Sequence, residues 1–280
     1  MSANETKLAG DIRAAFIGCG VMAEAIVAGL LREEMLSPDR IFASHPREER
    51  RRELAERYGI HVSADNRETA AAAGDSFVFL CVKPQRLGRV LEEIKDSVSP
   101  AATVVSIVAG ATVRKIGESL AAENVIRVMP NTPSQIGAGM CVWTASPEVP
   151  AESRDAVKTM LRALGKELYV ETENMIDMAT SLSATGPTFT FMVMEALTDA
   201  GVHLGFSREV AKELVQETML GSVKFAMESH KHPAELRNMV TSPGGTSAEA
   251  IYQMEKGGLR TVLSKAAYAA YRRAVELGKK

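Results

Sequence analysis

Gly18, Gly20 and Ala23 stand in the run 18-GCGVMAEA-25, directly behind the apolar segment 12-IRAAFIG-18 and ahead of an amphipathic stretch. Glycines at this spacing between a strand and a helix suit the pyrophosphate of a dinucleotide. Gly18 permits the tight turn, Gly20 lets backbone N–H groups approach the phosphates, and Ala23 lets the helix pack closely on the sheet. The helix N-terminus adds the positive end of its dipole. A plain βα turn with small packing residues shares this spacing. Its place at the head of an alternating strand–helix series favours the nucleotide.

A second run, 241-TSPGGTSAEAIYQME-255, breaks a helical region. Thr246 and Glu249 have capping-box spacing, which predicts a helix start at this point. Gly244 and Gly245 offer backbone without a Cβ, while Ser242, Thr246 and Ser247 offer hydroxyls beside unpaired helix amides. Together they make a neutral nest suited to a carboxylate. The alternative is simply a well-capped helix after a Pro-Gly turn. Beside a dinucleotide domain the ligand reading gains, because a small acid could be held here for reduction.

The second strand ends in 42-FASHPREERRR-52, without the acid that usually accepts from a ribose 2′-hydroxyl. Ser44, His45 and Arg47 instead suit a 2′-phosphate, so NADPH is favoured, with NADH the alternative cofactor. Arg50, Arg51 and Arg52 read as a solvated helix face. The segments 82-VKP-84, 108-VAG-110 and 130-PNTP-133 follow later strands on the ligand side of such a sheet. Val82, Lys83, Pro84, Ala109, Asn131 and Thr132 therefore wall a nicotinamide pocket, or serve only as turn residues.

These residues need a scaffold. Strands are expected at 12–18, 40–44, 75–82, 102–108, 124–129, 139–145 and 166–171, with helices at 21–33, 47–58, 66–73, 85–96, 112–121 and 150–164. The alternation calls for a parallel sheet wrapped on both faces, a doubly wound α/β domain. From 174 onward only helices are expected: 174–183, 187–204, 207–229, 233–240, 247–256 and 258–278. In the third of these, Ala211, Leu214, Val215, Thr218, Ser222 and Val223 recur at helical spacing. That face is covered either within the bundle or by a second copy. The expected organisation is a Rossmann-type domain over 1–170 and an all-α domain over 171–280, to which the resemblance described below assigns substrate binding and dimerisation.

Composition narrows the partners. The 33 basic and 35 acidic residues nearly cancel, which gives no reason to expect a nucleic acid. The N-terminal MSANETKLAGD lacks the apolar core of a signal peptide, and 21-VMAEAIVAGLL-31 is too short to span a bilayer, so no membrane is expected. Cys19, Cys81 and Cys141 form neither a disulfide framework nor a metal site, which suits a reduced, cytoplasmic protein. The five histidines fall in no active-site motif; His203 sits late in a helix, and 230-HKH-232 reads as a helix end.

The run 233-PAELRNMVTSPGGTSAEAIYQME-255 resembles the C-terminal signature of the pyrroline-5-carboxylate reductase family. The segments 15-AFIGCGVMAEAI-26, 77-FVFLCVKPQ-85, 126-IRVMPNTPSQIGAG-139 and 182-LSATGPTFTFMVMEALTDAGVHLG-205 match in order. Two positions depart from the family pattern: Ser247 replaces a threonine, and 183-SATGP-187 replaces S-G-S-G-P. The resemblance implies reduction of 1-pyrroline-5-carboxylate to proline by NAD(P)H, in a homodimer built through the C-terminal helices, with a decamer of five dimers as the larger assembly. It places Gly18, Gly20, Val21 and Met22 at the pyrophosphate, Ser44 at the 2′-phosphate, Asn66 at the adenosine ribose, and Val82, Lys83 and Pro84 by the nicotinamide. Ser242, Gly245, Thr246 and Ser247 would grip the substrate carboxylate, with Ser247 or a water it holds relaying the proton. A β-hydroxyacid dehydrogenase shares the two-domain plan, but 173-ENMIDMATSL-182 lacks the lysine that such enzymes carry there. A non-catalytic sensor on the same scaffold would not need the hydroxyls that this chain keeps.

Overall fold

In the computed structural model, which describes Leu8 and residues 11–278, an eight-stranded sheet carries the first part of the chain. Its strands are β1 (Ala14–Ile17), β2 (Ile41–Ser44), β3 (His61–Ser63), β4 (Phe77–Leu80), β5 (Thr103–Ser106), β6 (Val125–Met129), β7 (Gly139–Ala145) and β8 (Gly165–Tyr169). They lie in the order β3-β2-β1-β4-β5-β6-β7-β8. β1 therefore pairs with β2 on one side and β4 on the other, both in parallel, with Ile17 opposite Ser44 and Leu80. This is where the strand order reverses, and loops leaving the two strands diverge to open a crevice.

β1 and β4 are fully buried, as strands covered on both faces must be. Ala14 and Phe16 enter one core, where Phe16 stacks on Phe79 at 4.7 Å; Ala15 and Ile17 enter the other. Helices α1 (Val21–Arg32), α2 (Glu48–Tyr58) and α6 (Ala151–Arg162) cover the first core. In α1, Ala23, Ile26, Val27 and Leu30 recur at helical spacing and supply its buried stripe. Helices α3 (Asn66–Ala72), α4 (Pro84–Ile94) and α5 (Val113–Leu120) cover the second core.

Two features depart from the expected parallel sheet. β7 runs antiparallel to β6. The connection 130–138 is only a tight turn centred on Thr132–Ile136, too short for the crossover that a parallel neighbour needs. β3 is an additional strand, and its three residues at the sheet edge, one exposed and two half-buried, give little apolar pattern to read. The polar N-terminal run, Leu8 and Asp11 aside, lies outside the described residues.

After β8 the chain is helical: α7 (Asn174–Ala179), a π-helical turn Thr180–Ala184, α8 (Gly186–His203), α9 (Arg208–Ser229), α10 (Pro233–Met239), α11 (Thr246–Lys256) and α12 (Leu259–Gly278). The last strand thus ends at Tyr169, while compact packing divides the chain further on. One unit runs to Thr185 and resumes at Ala270; the other is Gly186–Ala269. In the second unit α8 and α9 approach closely where Gly201 faces Ala211; a Cβ on Gly201 would lie 2.8 Å from that of Ala211. Ala211 is buried, but Leu214 and Val223 of the same predicted stripe are 50% and 57% exposed. Phe191, Met192, Phe225 and Val262 are exposed as well. So much apolar surface on one unit marks a face for another protein surface. Among the described residues no helix is long and apolar enough to cross a membrane.

Candidate functional site

The glycine turn sits at the end of β1. Gly18 adopts φ +85°, and a Cβ there would stand 2.5 Å from Val82 Cγ1, so both backbone and packing demand glycine. Gly20 is different: nothing lies within 4 Å of an added Cβ, which leaves open space against the backbone. Gly20 is the N-cap of α1 and supplies no side-chain cap. The first-turn amides, including those of Val21 and Met22, thus lack intrahelical partners and remain available to an anion. An open glycine beside an uncapped helix start fits a pyrophosphate.

Ser44, Asn66 and Val82 converge on this turn, but not all as expected. Ser44 is 1% exposed; its hydroxyl accepts from Gly18 N at 3.1 Å and donates to Asn66 Oδ1 at 2.6 Å. That hydroxyl is committed to the turn and is not presented to a 2′-phosphate. His45 and Arg47 lie just beyond, Arg47 at the N-cap of α2 with its N–H on His45 Nδ1 at 3.2 Å. Burial lowers the His45 pKa, and the Arg47, Arg50 and Arg51 charges push it the same way. His45 therefore remains neutral there at neutral pH, and the positive charge is left to the arginines.

Arg50 and Arg51 are not part of the solvated face that the sequence suggests. Arg50 ion-pairs with Glu24 of α1 and reaches Glu53 at 2.6 Å. Burial by itself would raise the Glu24 carboxyl, but hydrogen bonds from Arg50 and Tyr58 and the arginine charges bring it below its usual range. Arg51 donates to the carbonyls of His45 and Pro46 at 2.8 and 2.9 Å and shapes the loop after β2. Arg52 is on the open surface, 3.4 Å from Glu48, and Arg47 is exposed as well.

Lys83 is the exposed N-cap of α4, and Pro84 occupies its first position, where a missing N–H costs nothing. Ala109 is half-buried against the small core of Met129, Val142, Val170 and Ile176. Asn131 accepts from Met140 N at 2.9 Å and reaches Ser183 at the π-helical turn, so it braces two loops. The buried Cys19 thiol between the two glycines is pushed up to about 12 by burial, and this removes it as a nucleophile.

The loop ahead of α11 is also open. The helix starts at Thr246 with Gly245 as N-cap and no side-chain cap, so the predicted capping box does not form. Glu249 instead accepts from Gln253 at 2.9 Å. Gly245 N donates to Ser242 O at 3.0 Å, and the N–H groups of Ala248 and Glu249 return to Gly245 O. Among the described residues the amides of Thr246 and Ser247 are left without such partners, beside their own hydroxyls. Gly244 takes φ +70°, and a Cβ on Gly245 would strike the Ser242 hydroxyl, so both glycines are fixed by the turn. The loop offers donors without a cation, which suits a carboxylate.

The sheet order, the open glycine turn and the uncapped helix start define a Rossmann-type dinucleotide-binding oxidoreductase. Residues 13–110 match the model described as NADP oxidoreductase coenzyme F420-dependent, and residues 173–277 match pyrroline-5-carboxylate reductase dimerisation. The chain is 39% identical over 270 residues to a pyrroline-5-carboxylate reductase of Synechocystis sp., covering 96% of this chain and 100% of that one. Its structure is similar to a pyrroline-5-carboxylate reductase from Coxiella burnetii, with TM-score 0.86, 36% identity, and 97% and 100% of the two chains covered. A Plasmodium falciparum pyrroline carboxylate reductase with NADP bound superposes with TM-score 0.87 at 29% identity, over 95% and 98% of the chains. The chain belongs to the pyrroline-5-carboxylate reductase family, and its helical region is one of homo-oligomerisation.

Proposed function

We propose that the protein reduces 1-pyrroline-5-carboxylate to proline with a reduced nicotinamide dinucleotide, the last step of proline biosynthesis. The observation that carries this reading is 39% identity to a pyrroline-5-carboxylate reductase along 96% of the chain. When bound, the nicotinamide supplies the hydride. The rest falls to the chain's residues. Gly20 and the amides of Val21 and Met22 hold the pyrophosphate; Asn66 keeps one amide N–H for the ribose; Val82, Lys83, Pro84 and Ala109 border the nicotinamide. Ser242, Gly244, Gly245, Thr246 and Ser247 hold the substrate carboxylate through hydroxyls and open amides. The imine carbon takes the hydride and the ring nitrogen a proton, for which the Ser247 hydroxyl is the proposed relay. A protonated imine is electrophilic enough to need no His–Asp pair.

NADPH is the proposed cofactor, with its 2′-phosphate met by Arg47 and His45 rather than by the buried Ser44. The functional assembly is a dimer through the exposed apolar helices, and five dimers form the proposed decamer. The setting is the cytoplasm, which suits three unpaired cysteines. The test follows nicotinamide absorbance with pyrroline-5-carboxylate, NADPH and NADH in parallel. Imine-dependent oxidation, faster with NADPH, is expected. Arg47→Ala should weaken NADPH about tenfold, the equivalent of about 1.4 kcal/mol, and leave NADH unchanged. Folded protein that oxidises neither cofactor would refute the reading.

A further inference from the structure

A chain of hydrogen bonds crosses the ligand end of the sheet and links four separate elements. The Gly18 amide donates to Ser44 Oγ at 3.1 Å, Ser44 donates to Asn66 Oδ1 at 2.6 Å, and Asn66 Nδ2 donates to Glu93 Oε2 at 3.1 Å. Gly18 belongs to the turn after β1, Ser44 to β2, Asn66 to α3 and Glu93 to α4. The direction of the chain is dictated from its far end. A carboxylate oxygen accepts only, so Glu93 requires the NH₂ side of the Asn66 amide. The amide must then turn its oxygen toward Ser44. Ser44 has one proton to give; with that proton on Asn66, its lone pairs are left for the Gly18 N–H. The side chain of Arg67, next to Asn66, ties the same two helices together, because its Nε donates to the Glu93 backbone carbonyl at 2.9 Å.

We infer that Glu93 is a positioning residue for the dinucleotide, acting through Asn66 and Ser44 to fix the Gly18 turn. Reversing the Asn66 amide would set its oxygen against the Glu93 carboxylate, acceptor against acceptor, and would deprive the Ser44 proton of its acceptor, so the hydroxyl that receives the Gly18 N–H would no longer be fixed. Gly18 sits at φ +85°, one of several conformations open to glycine, so its hydrogen bond to Ser44 helps to choose among them. The turn that must present open amides to a pyrophosphate is thus locked by a side chain outside the glycine motif. This rests on the cofactor reading above and names a residue that reading does not use.

The test measures NADPH and NADH affinity by calorimetry for the wild type, Glu93→Ala, Glu93→Gln, Ser44→Ala and the Ser44→Ala, Glu93→Ala double variant. Glu93→Ala is expected to weaken both dinucleotides about tenfold, the scale of one hydrogen bond to a charged group, with kcat and the imino acid KM retained at saturating cofactor. Glu93→Gln restores affinity, because its amide oxygen also accepts from Asn66 Nδ2. In the Ser44→Ala background Glu93→Ala adds less than its full loss, since the route through Ser44 is already cut and only the Asn66 contact with the ribose is left to weaken. Equal affinity of Glu93→Ala and wild type overturns the inference, as does additive loss in the double variant or failure of Glu93→Gln to restore binding. A folded wild type that binds neither dinucleotide overturns the cofactor reading and the inference with it.

Discussion

The Thr246→Val, Ser247→Ala double variant is expected to lose about a hundred-fold or more in kcat/KM for the imino acid while binding NADPH as the wild type does. The reason is local. α11 begins at Thr246 without a side-chain cap, so two hydroxyls and two open amides share one turn. A hydrogen bond to a charged group is worth about 1.5–3 kcal/mol, and the double variant removes two such donors but leaves the amides. Valine keeps the shape of Thr246, and neither hydroxyl caps the helix, so stability should change little. Steady-state kinetics with varied imino acid, beside direct cofactor titration, reads the difference. Unchanged kcat/KM would mean that this loop does not hold the substrate.

Arg127→Ala is expected to cost about 3 kcal/mol of stability, because it empties the place of a fully buried side chain and leaves two partly buried acids without their cation. Arg127 is 1% exposed on β6; its guanidinium meets Glu173 at 3.0 Å and Asp177 at 2.6 Å. Glu173 Oε1 also accepts from Val113 N at 2.8 Å, so one cluster ties β6, the start of α5 and α7. Thermal unfolding should fall by roughly 10 °C. Combining Arg127→Met with Glu173→Gln and Asp177→Asn should recover much of the loss. No unpaired charge then remains, and the amide oxygen placed by Glu173→Gln still accepts from Val113 N. A shift of under about 2 °C in the single variant would contradict this account.

The glycine turn, the αβ alternation and every helix after 174 are legible in the sequence because each rests on local pattern: glycine spacing, apolar periodicity and turn residues. β3 escapes because three edge residues carry no periodicity, and β7 because its direction depends on the length of the preceding turn, not on its own residues. The loop after β2 is legible as an arginine cluster but not in its roles. Arg50 is drawn to Glu24 on a neighbouring helix, a pairing that sequence separation hides. Ser44 resembles a ligand residue because it ends a strand; its burial follows from parallel pairing with β1, which brings Gly18 N within reach. Arg127 does carry a signal in the sequence. An arginine inside 125-VIRVM-129 has to find acids, and Glu173 and Asp177 stand one helical turn apart where the first helix after the sheet begins. The Asn66–Glu93 contact has no such signal, since nothing in spacing joins α3 to α4.

The central claim is that this chain reduces a cyclic imine whose carboxylate is held by the 242–247 loop. The most direct test compares kcat/KM for 1-pyrroline-5-carboxylate with that for 1-pyrroline, which has the same imine without the acid, in wild type and in the Thr246→Val, Ser247→Ala variant. The wild type should prefer the acid by about a hundred-fold or more, and the variant should lose most of that preference while reducing 1-pyrroline as before. Equal rates on both imines in the wild type, or an undiminished preference in the variant, would contradict it.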